Sequence, residues 1–242
     1  MFTLGSRLLT IEHARPVPRS LRLDTDFHLG PPGSRASTCN GIPGFFFMSQ
    51  RQLIREQMRA ARRTLPCEQQ QQSANALVEQ FAQHPLICHA KRVALYVASD
   101  GELDPQPVIH WCWQRQIAVC LPVLHPFSKG HLLFIDYQPD TPMSRNQFGI
   151  AEPALNCQGI VLKSAIDIIF TPLVAFDAQG NRLGMGGGFY DRTLSGWHHQ
   201  RLGPYPIGLA HDCQQVAHVP IESWDVPLPE ILTPTRRWHW SL

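Results

Sequence analysis

A glycine-rich run at residues 182–191, preceded by an arginine and closed by an aspartate, is the stretch best suited to chemistry. Glycines at 184, 186 and 188 free backbone N–H groups to converge on phosphate oxygens, and a helix starting near Phe189 would add its positive end. Arg182 offers a planar fork of donors to a phosphate, and Asp191 is an oxygen ligand suited to Mg²⁺. We predict an anion-binding loop; the alternative is a glycine-rich hairpin or helix cap without a ligand.

The run fits neither familiar phosphate-binding motif. A P-loop would need Lys and then Ser or Thr after the glycines, and a dinucleotide fingerprint starting at Gly184 would need a small residue where Phe189 stands. The loop therefore belongs to another class of anion site.

Composition limits the classes of function. The 242 residues are 43% hydrophobic with a formal net charge of +2, which favours a globular protein and gives no basic field for nucleic acid. The 7 cysteines contain no CxxC pair and the 12 histidines no metal-ligand spacing. No apolar run approaches the ~20 residues that span a bilayer. We expect a soluble, cytoplasmic protein that binds neither nucleic acid nor membranes.

Residues 1–47 differ from the rest, with five prolines, five arginines, no lysine and no sustained apolar period. We expect an N-terminal extension with little folded structure, or a mis-annotated segment upstream of a working start at Met48. A mitochondrial presequence is disfavoured by the prolines and acidic residues but stays open. Residues 48–242 are predicted to form a single catalytic domain.

The elements that must position the loop follow from periodicity. Apolar residues at 53, 54 and 58 and basic residues at 51, 55, 59, 62 and 63 predict a first helix with one basic stripe. Further helices are predicted over 68–83, 104–114 and 189–197, and strands over 92–98, 117–121, 132–137, 167–176 and 206–210. Strands separated by helices predict an α/β fold with a largely parallel sheet. Ligands of such sheets bind beyond the carboxyl ends of the strands, where residues 99–102 and the glycine run both fall.

Several segments together resemble the 5-formyltetrahydrofolate cyclo-ligase family over residues 48–242. They are the basic positions 51 and 55, SDGE at 99–102, LPVL at 121–124, NQFGIAEP at 146–153, PLVAFD at 172–177 and the glycine run. The resemblance implies a three-layer sheet with helices on both faces, similar to the sugar-isomerase and CoA-transferase group. It also implies that ATP and Mg²⁺ are used to close 5-formyltetrahydrofolate into 5,10-methenyltetrahydrofolate through a phosphorylated formyl (iminophosphate) intermediate. ADP and phosphate are released.

The resemblance carries site residues onto this chain. Those implied for ATP are Arg51, Gln52, Leu53, Ile54, Arg55, Arg182, Leu183, Gly184, Met185, Gly186, Gly187, Gly188, Phe189 and Tyr190. Those implied for the folate are Val97, Glu102, Phe189 and Tyr190, and the implied Mg²⁺ ligands are Asp191 and Asp225. Arg51 stands where the family often has lysine and Phe189 where it commonly has tyrosine.

Each assignment has a structural alternative. The basic stripe could be a solvated helix face, residues 100–102 an ordinary turn, and Asp225 part of a surface turn. Asn146, Phe148 and Glu152 shape a substrate-side loop or serve structural roles. We expect Asp191 to be an exposed loop carboxylate, so that its removal abolishes turnover with little loss of stability.

Two other functions compete with an ATP-dependent ligase. One is a sugar-phosphate isomerase or CoA transferase on a similar sheet, which does not explain residues 182–191. The other is a folate- or nucleotide-binding module without catalysis. The expected partners are small molecules, a reduced folate and ATP, bound by a monomer.

Overall fold

The computed structural model of the protein describes residues 48–241, and the predicted extension at residues 1–47 lies outside them. The α-helices are α1 (Gln50–Arg63), α2 (Cys67–Gln83), α3 (Pro85–His89), α4 (Gln106–Gln114) and α5 (Phe189–Gln200). The strands are β1 (Arg92–Ala94), β2 (Ala118–Leu124), β3 (Leu132–Asp136), β4 (Met143–Arg145), β5 (Ala151–Pro153), β6 (Ile160–Val161), β7 (Ile168–Pro172), β8 (Ala175–Phe176), β9 (Arg182–Leu183), β10 (Tyr205–Leu209), β11 (Glu230–Leu232) and β12 (Arg237–His239). Short 3-10 helices cover Cys157–Gly159, Lys163–Ala165 and Asp212–Gln214.

The largest sheet is mixed and has the strand order β12-β11-β10-β7-β1-β2-β3-β6. Its central strands, from β11 to β2, run parallel, whereas β12 at one edge and β3 and β6 at the other are antiparallel to their neighbours. The predicted parallel pairing is therefore confirmed for the five central strands, whereas β12, β3 and β6 pair antiparallel. Strands β3 and β12 each follow their partner after a short turn, a connection that produces antiparallel pairing.

Helices cover both faces of this sheet. Val93 and Leu95 of the β1 segment pack with Phe81 of α2 on one face, whereas Ala94 packs with Leu194 of α5 on the other. This alternation follows from the two-residue side-chain period of an extended chain. The predicted combination of a central sheet with helices is confirmed.

Two predicted strands are shorter in the structure. β1 ends at Ala94 instead of residue 98. Leu95 and Tyr96 remain buried, because the core also covers the loop that follows the strand. The strand predicted over 167–176 divides after Pro172, and Ala175 and Phe176 form β8, which pairs with β9 outside the large sheet. An apolar run predicts burial but does not identify the hydrogen-bonding partner of each residue.

The helices predicted over 68–83, 104–114 and 189–197 are confirmed as α2, α4 and α5, with boundaries that differ by up to three residues. No helix in the described part of the chain is long and apolar enough to cross a membrane.

Candidate functional site

The glycine loop, residues 184–188, joins β9 to α5 and presents unpaired backbone donors. None of the N–H groups from Gly184 to Asp191 has an acceptor among residues 48–241. Gly186 (φ 101°) and Gly188 (φ 64°) have left-handed backbone conformations, which glycine adopts without a steric penalty. Gly188 is the N-cap of α5 and has no side chain to bond the first turn. The loop thus has the donors that an anion-binding site requires.

Helix α1 lies against this loop and brings arginines to it. Ser49 caps the helix by accepting a hydrogen bond from the backbone N–H of Gln52. One turn later, Arg55 Nε donates to the carbonyl of Gly184 at 2.9 Å. Burial, followed by the nearby charge of Arg51, lowers the pKa of Arg55. Arg55 thus places a positive charge at the edge of the loop.

The other residues of α1 that are predicted to bind ATP have different surroundings. Ile54 packs against a small buried cluster that contains Leu183, and the side chain of Leu183 is fully buried. Leu53 is exposed, and Gln52 bonds Glu56 at 2.9 Å on the same helix. Ile54 and Leu183 therefore pack α1 against β9, and the side chain of Leu183 is not available to a ligand.

The two predicted metal ligands each pair with an arginine. Asp191 Oδ1 accepts from Arg182 Nη2 at 2.5 Å and from the N–H of Val226 at 3.4 Å. Arg182 is only 5% exposed, and burial lowers its pKa. The expectation of an exposed loop carboxylate is wrong, because Asp191 lies in the first turn of α5 and neutralises this buried cation.

Asp225 forms a bidentate ion pair with Arg51, in which Nη1 and Nη2 donate to its two carboxylate oxygens at 2.5 and 3.0 Å. It also accepts a hydrogen bond from the N–H of Glu222 at 2.8 Å. Burial raises the pKa of Asp225, but the Arg51 and Glu222 hydrogen bonds outweigh burial and lower it overall. Arg51, which is predicted to bind ATP, thus pairs with Asp225, one of the two predicted Mg²⁺ ligands.

These carboxylates can be tested for their fit to Mg²⁺. No group of three or more His, Cys, Asp or Glu residues in the described part of the chain could hold a metal ion by itself. Mg²⁺ at a nucleotide needs only one or two carboxylates, since phosphates and waters complete its shell. Asp191 fits, because its Oδ2 atom has no partner among the described residues. Asp225 fits only after Arg51 releases it.

A pocket of about 420 Å³ lies beyond the carboxyl end of β1 and is lined by Val97, residues 98–102 and polar residues of α2 and α4. Glu102 Oε2 accepts from the N–H of Ser99 at 3.1 Å. Burial raises the pKa of Glu102, while Arg62, 3.7 Å from its other oxygen, acts in the opposite direction. Val97 and Glu102, both predicted to bind the folate, thus form one pocket with an apolar wall and a carboxylate.

The second half of α1 holds the loop that carries Glu102. Asp100, with a left-handed backbone (φ 53°), bonds Arg59 Nε at 2.7 Å, Arg62 Nη2 at 2.9 Å and Arg63. Arg62 is fully buried and also donates to the carbonyls of Asp100, at 2.8 Å, and Leu173, at 3.2 Å. The alternative of a solvated basic face is therefore wrong here. Sequence reasoning identified the basic stripe but not its buried acceptors.

We expect Asp100→Asn to destabilise the protein only where Asp100 is ionised. Burial disfavours its charge, but hydrogen bonds from Arg59, Arg63 and Arg62 hold the pKa of Asp100 at about 2, below its usual 3.8. A carboxyl group whose pKa falls on folding stabilises the protein above the unfolded pKa, and this contribution disappears as the pH falls through the folded value. We expect about 1 kcal/mol at neutral pH after solvent screening, decreasing to nothing between about pH 4 and about pH 2.

Urea unfolding of both proteins across this pH range measures the difference. Asparagine tolerates the left-handed backbone, so the substitution changes mainly the charge. Asp140→Asn, at an exposed position, is the control and should show no such pH dependence. A difference that persists unchanged below pH 2 would contradict the prediction.

Tyr190 follows the glycine loop in the first turn of α5. It packs against the core on the α5 side of the sheet. Burial and then the neighbouring Glu102 carboxylate raise the pKa of its hydroxyl. Helix α1 relates the loop and the pocket geometrically, because Arg55 donates to the carbonyl of Gly184 and Arg62, two turns later, donates to the carbonyl of Asp100 in the pocket wall.

The β4–β5 hairpin approaches the loop from outside. Asn146 Oδ1 accepts from the N–H groups of Phe148 and Ile150, and its Nδ2 donates to Glu152 at 3.0 Å, so Asn146 and Glu152 shape the turn. Phe148 is 58% exposed and meets the ring of Phe189 edge-to-face, with centroids 6.2 Å apart. Phe148 thus brings the hairpin to Phe189, the first residue of α5 after the loop.

These features define a mixed α/β protein with a glycine loop of unpaired backbone donors and a pocket beyond the carboxyl end of a central strand. Residues 47–234 match the model of the 5-formyltetrahydrofolate cyclo-ligase family, and the chain belongs to this family of enzymes. The resemblance found in the sequence is thereby confirmed.

Individual relatives agree with this assignment. The chain is similar to the 5-formyltetrahydrofolate cyclo-ligase of Escherichia coli K12, with 46% identity over 183 residues, covering 76% of this chain and 100% of the relative. The enzyme of that name from Haemophilus influenzae is 50% identical over 183 residues, covering 76% and 97%. The solved structure of Aquifex aeolicus 5,10-methenyltetrahydrofolate synthetase is similar, with a TM-score of 0.67, 26% identity and coverage of 79% and 93%.

Proposed function

We propose that the protein catalyses the ATP- and Mg²⁺-dependent cyclisation of 5-formyltetrahydrofolate to 5,10-methenyltetrahydrofolate, with release of ADP and phosphate. The observation that carries this proposal is the row of unpaired N–H groups from Gly184 to Asp191 beside a pocket lined by Val97 and Glu102. One part suits a triphosphate and the other a pterin. Membership of the cyclo-ligase family supports the same reaction.

The chemistry explains why an anion-binding loop and a pocket must be adjacent. A formyl amide oxygen is a very poor leaving group, so it first attacks the γ-phosphorus of ATP; the new O–P bond forms as the bond to ADP breaks. N10 then attacks the formyl carbon of this iminophosphate, the C–O bond breaks with loss of phosphate, and N10 loses its proton. The protein mainly positions the reactants and neutralises charge.

The residues divide this work according to their contacts. The glycine loop would bind phosphate oxygens through its N–H groups, with Arg55 and Arg182 adding charge. Glu102 would accept hydrogen bonds from the N–H groups of the pterin, against the apolar side of Val97. Asp191 would hold Mg²⁺, joined by Asp225 once Arg51 turns away. When bound, the ion supplies charge neutralisation between the phosphate groups.

The purified protein should convert 5-formyltetrahydrofolate in the presence of ATP and Mg²⁺, because we assign ATP to the glycine loop and the folate to the pocket. The product absorbs in the near ultraviolet where the substrate does not, so a rise in absorbance measures the reaction directly. Omitting ATP is the control. Binding of folate or ADP without any absorbance change would favour a non-catalytic binding module instead.

Other expectations from the sequence stay predictions. We propose a cytoplasmic monomer whose partners are small molecules, a reduced folate and ATP, with neither nucleic acid nor membrane among them; the near-zero net charge supports the exclusion of nucleic acid. The similarity to the sugar-isomerase and CoA-transferase fold rests on the layered α/β architecture.

A further inference from the structure

We propose that Arg192 is a positioning residue for ATP, which fixes the peptide between Gly187 and Gly188 so that its N–H group faces the bound phosphates. The inference rests on the proposed function and adds a residue that does not itself belong to the glycine run. Arg192 lies one residue beyond Asp191, in the first turn of α5, and its side chain is exposed.

The guanidinium of Arg192 joins two loops that are far apart in sequence. It donates to the carbonyl of Gly187, and its Nε donates to the carbonyl of Gly130 at 2.7 Å. Its Cζ atom also lies 5.7 Å from the ring centre of Phe189. Gly130 belongs to the turn between β2 and β3, so Arg192 links the glycine loop to this turn of the large sheet.

The contact of Arg192 with the carbonyl of Gly187 determines how the Gly187–Gly188 peptide group is oriented. In a trans peptide the C=O and the following N–H point in opposite directions. With its carbonyl held by Arg192, the Gly187–Gly188 peptide directs the N–H of Gly188 away from the guanidinium. Arg55 acts in the same way on Gly184, and so directs the N–H of Met185. Carbonyl oxygens turned towards a phosphate would repel it, so the two arginines determine which atoms of the loop an anion meets.

The surroundings leave room for this arginine and for little else. An added Cβ at Gly130 (φ 81°) would lie 2.4 Å from Arg192 Nη2, and one at Gly188 would lie 2.8 Å from its Nη1. The Gly130 turn is held by its own bonds, from the N–H of His125 to the carbonyl of His131 at 3.0 Å and from the N–H of Ser128 to His125 Nδ1 at 3.0 Å. The turn is therefore a fixed support against which Arg192 can position the glycine loop.

We expect Arg192→Met to raise the KM for ATP about five- to tenfold, the effect of losing a charge-assisted hydrogen bond, and to weaken ADP binding equally. The kcat and the KM for 5-formyltetrahydrofolate should stay within about twofold, because the pocket is not touched. Arg192→Lys should not restore the KM for ATP, since one ammonium cannot replace a planar fork between two carbonyls. Steady-state absorbance assays with each substrate varied, and calorimetric titration with ADP, measure these values.

Gly130→Ala provides a second and independent variant. Its Cβ would displace the guanidinium without changing the arginine or the glycine run, so it should reproduce the effect of Arg192→Met. Gly203→Ala is the matched control, because Gly203 is also left-handed (φ 99°) but has no heavy atom within 4 Å of an added Cβ. It follows the opposite end of α5. Arg115→Met, which removes an exposed arginine over Trp111, controls for the loss of a surface charge.

An unchanged KM for ATP in both Arg192→Met and Gly130→Ala would overturn the proposal. So would full rescue by Arg192→Lys, which would indicate attraction by charge alone, or an equal rise in both KM values, which would indicate a general structural effect. A wild-type protein that binds ADP but forms no methenyl product would remove the proposed function instead. The ADP affinities of the variants would then still test the role of Arg192 in the loop.

Discussion

Asp191→Asn is expected to lower kcat about a hundred- to a thousandfold, because a metal ligand at a transferring phosphate is worth several kcal/mol of transition-state stabilisation. The amide oxygen can still accept the hydrogen bond of Arg182, so the buried ion-pair site keeps an acceptor while the negative charge is lost. The Mg²⁺ concentration needed for half-maximal rate should rise as well. Steady-state assays over a Mg²⁺ series measure both effects.

Stability measurements separate this role from packing. Asp191→Asn keeps an acceptor for Arg182 but loses the charge, so it should lose less stability than Asp191→Ala, which removes both from the nearly buried Arg182 and should cost about 3 kcal/mol. This revises the expectation, drawn from the sequence, that removing Asp191 leaves stability almost unchanged. Asp140→Asn is a matched control at an exposed aspartate. Near-normal kcat in folded Asp191→Asn would exclude Asp191 as a metal ligand.

Gly186→Val is expected to weaken ADP binding about 30-fold or more, which corresponds to about 2 kcal/mol of backbone strain and lost donors. Gly186 has a φ of 101°, a conformation that a β-branched residue avoids, so valine would force the loop to change shape. Steric overlap with neighbouring residues contributes little, since a Cβ added at Gly186 would lie 3.7 Å from the Arg55 guanidinium. Titration calorimetry with ADP measures the affinity.

Gly203→Val is the matched control for this variant. Its φ of 99° imposes nearly the same strain in a place with no atoms within 4 Å of the new Cβ. Both variants should lose similar stability, and only Gly186→Val should lose affinity for ADP. Equal affinities in the two variants would show that the nucleotide does not bind at the glycine loop.

Local features of the site could be predicted from the sequence. Glycine spacing indicated the loop and its helix, and a residue following a buried strand indicated Glu102 at the pocket, because both depend on conformational preferences of a few neighbouring residues. The periodicity of α1 likewise placed Arg51 and Arg55 on one side of a helix. Each of these inferences needed no knowledge of distant partners.

Features that depend on distant partners could not be predicted. Arg62 is buried because its acceptors come from residues 100 and 173, and nothing in its own segment distinguishes it from a solvated arginine. Arg192 acquires its role from Gly130, 62 positions away. The division of β7 from β8 is also a tertiary effect, since both segments are equally apolar and only the pairing with β9 separates them.

Helix α1 has one more consequence. Its 14 residues span about 20 Å. Arg55 bonds the loop proposed to bind the nucleotide, and Arg62, nearer the other end, bonds the loop proposed to bind the folate. Because α1 is hydrogen-bonded to both loops, a tilt of the helix at one end displaces the loop at the other end. A nucleotide that shifts the helix on binding must therefore change the affinity for the folate. The folate must change the affinity for the nucleotide by the same factor, since thermodynamic linkage is reciprocal.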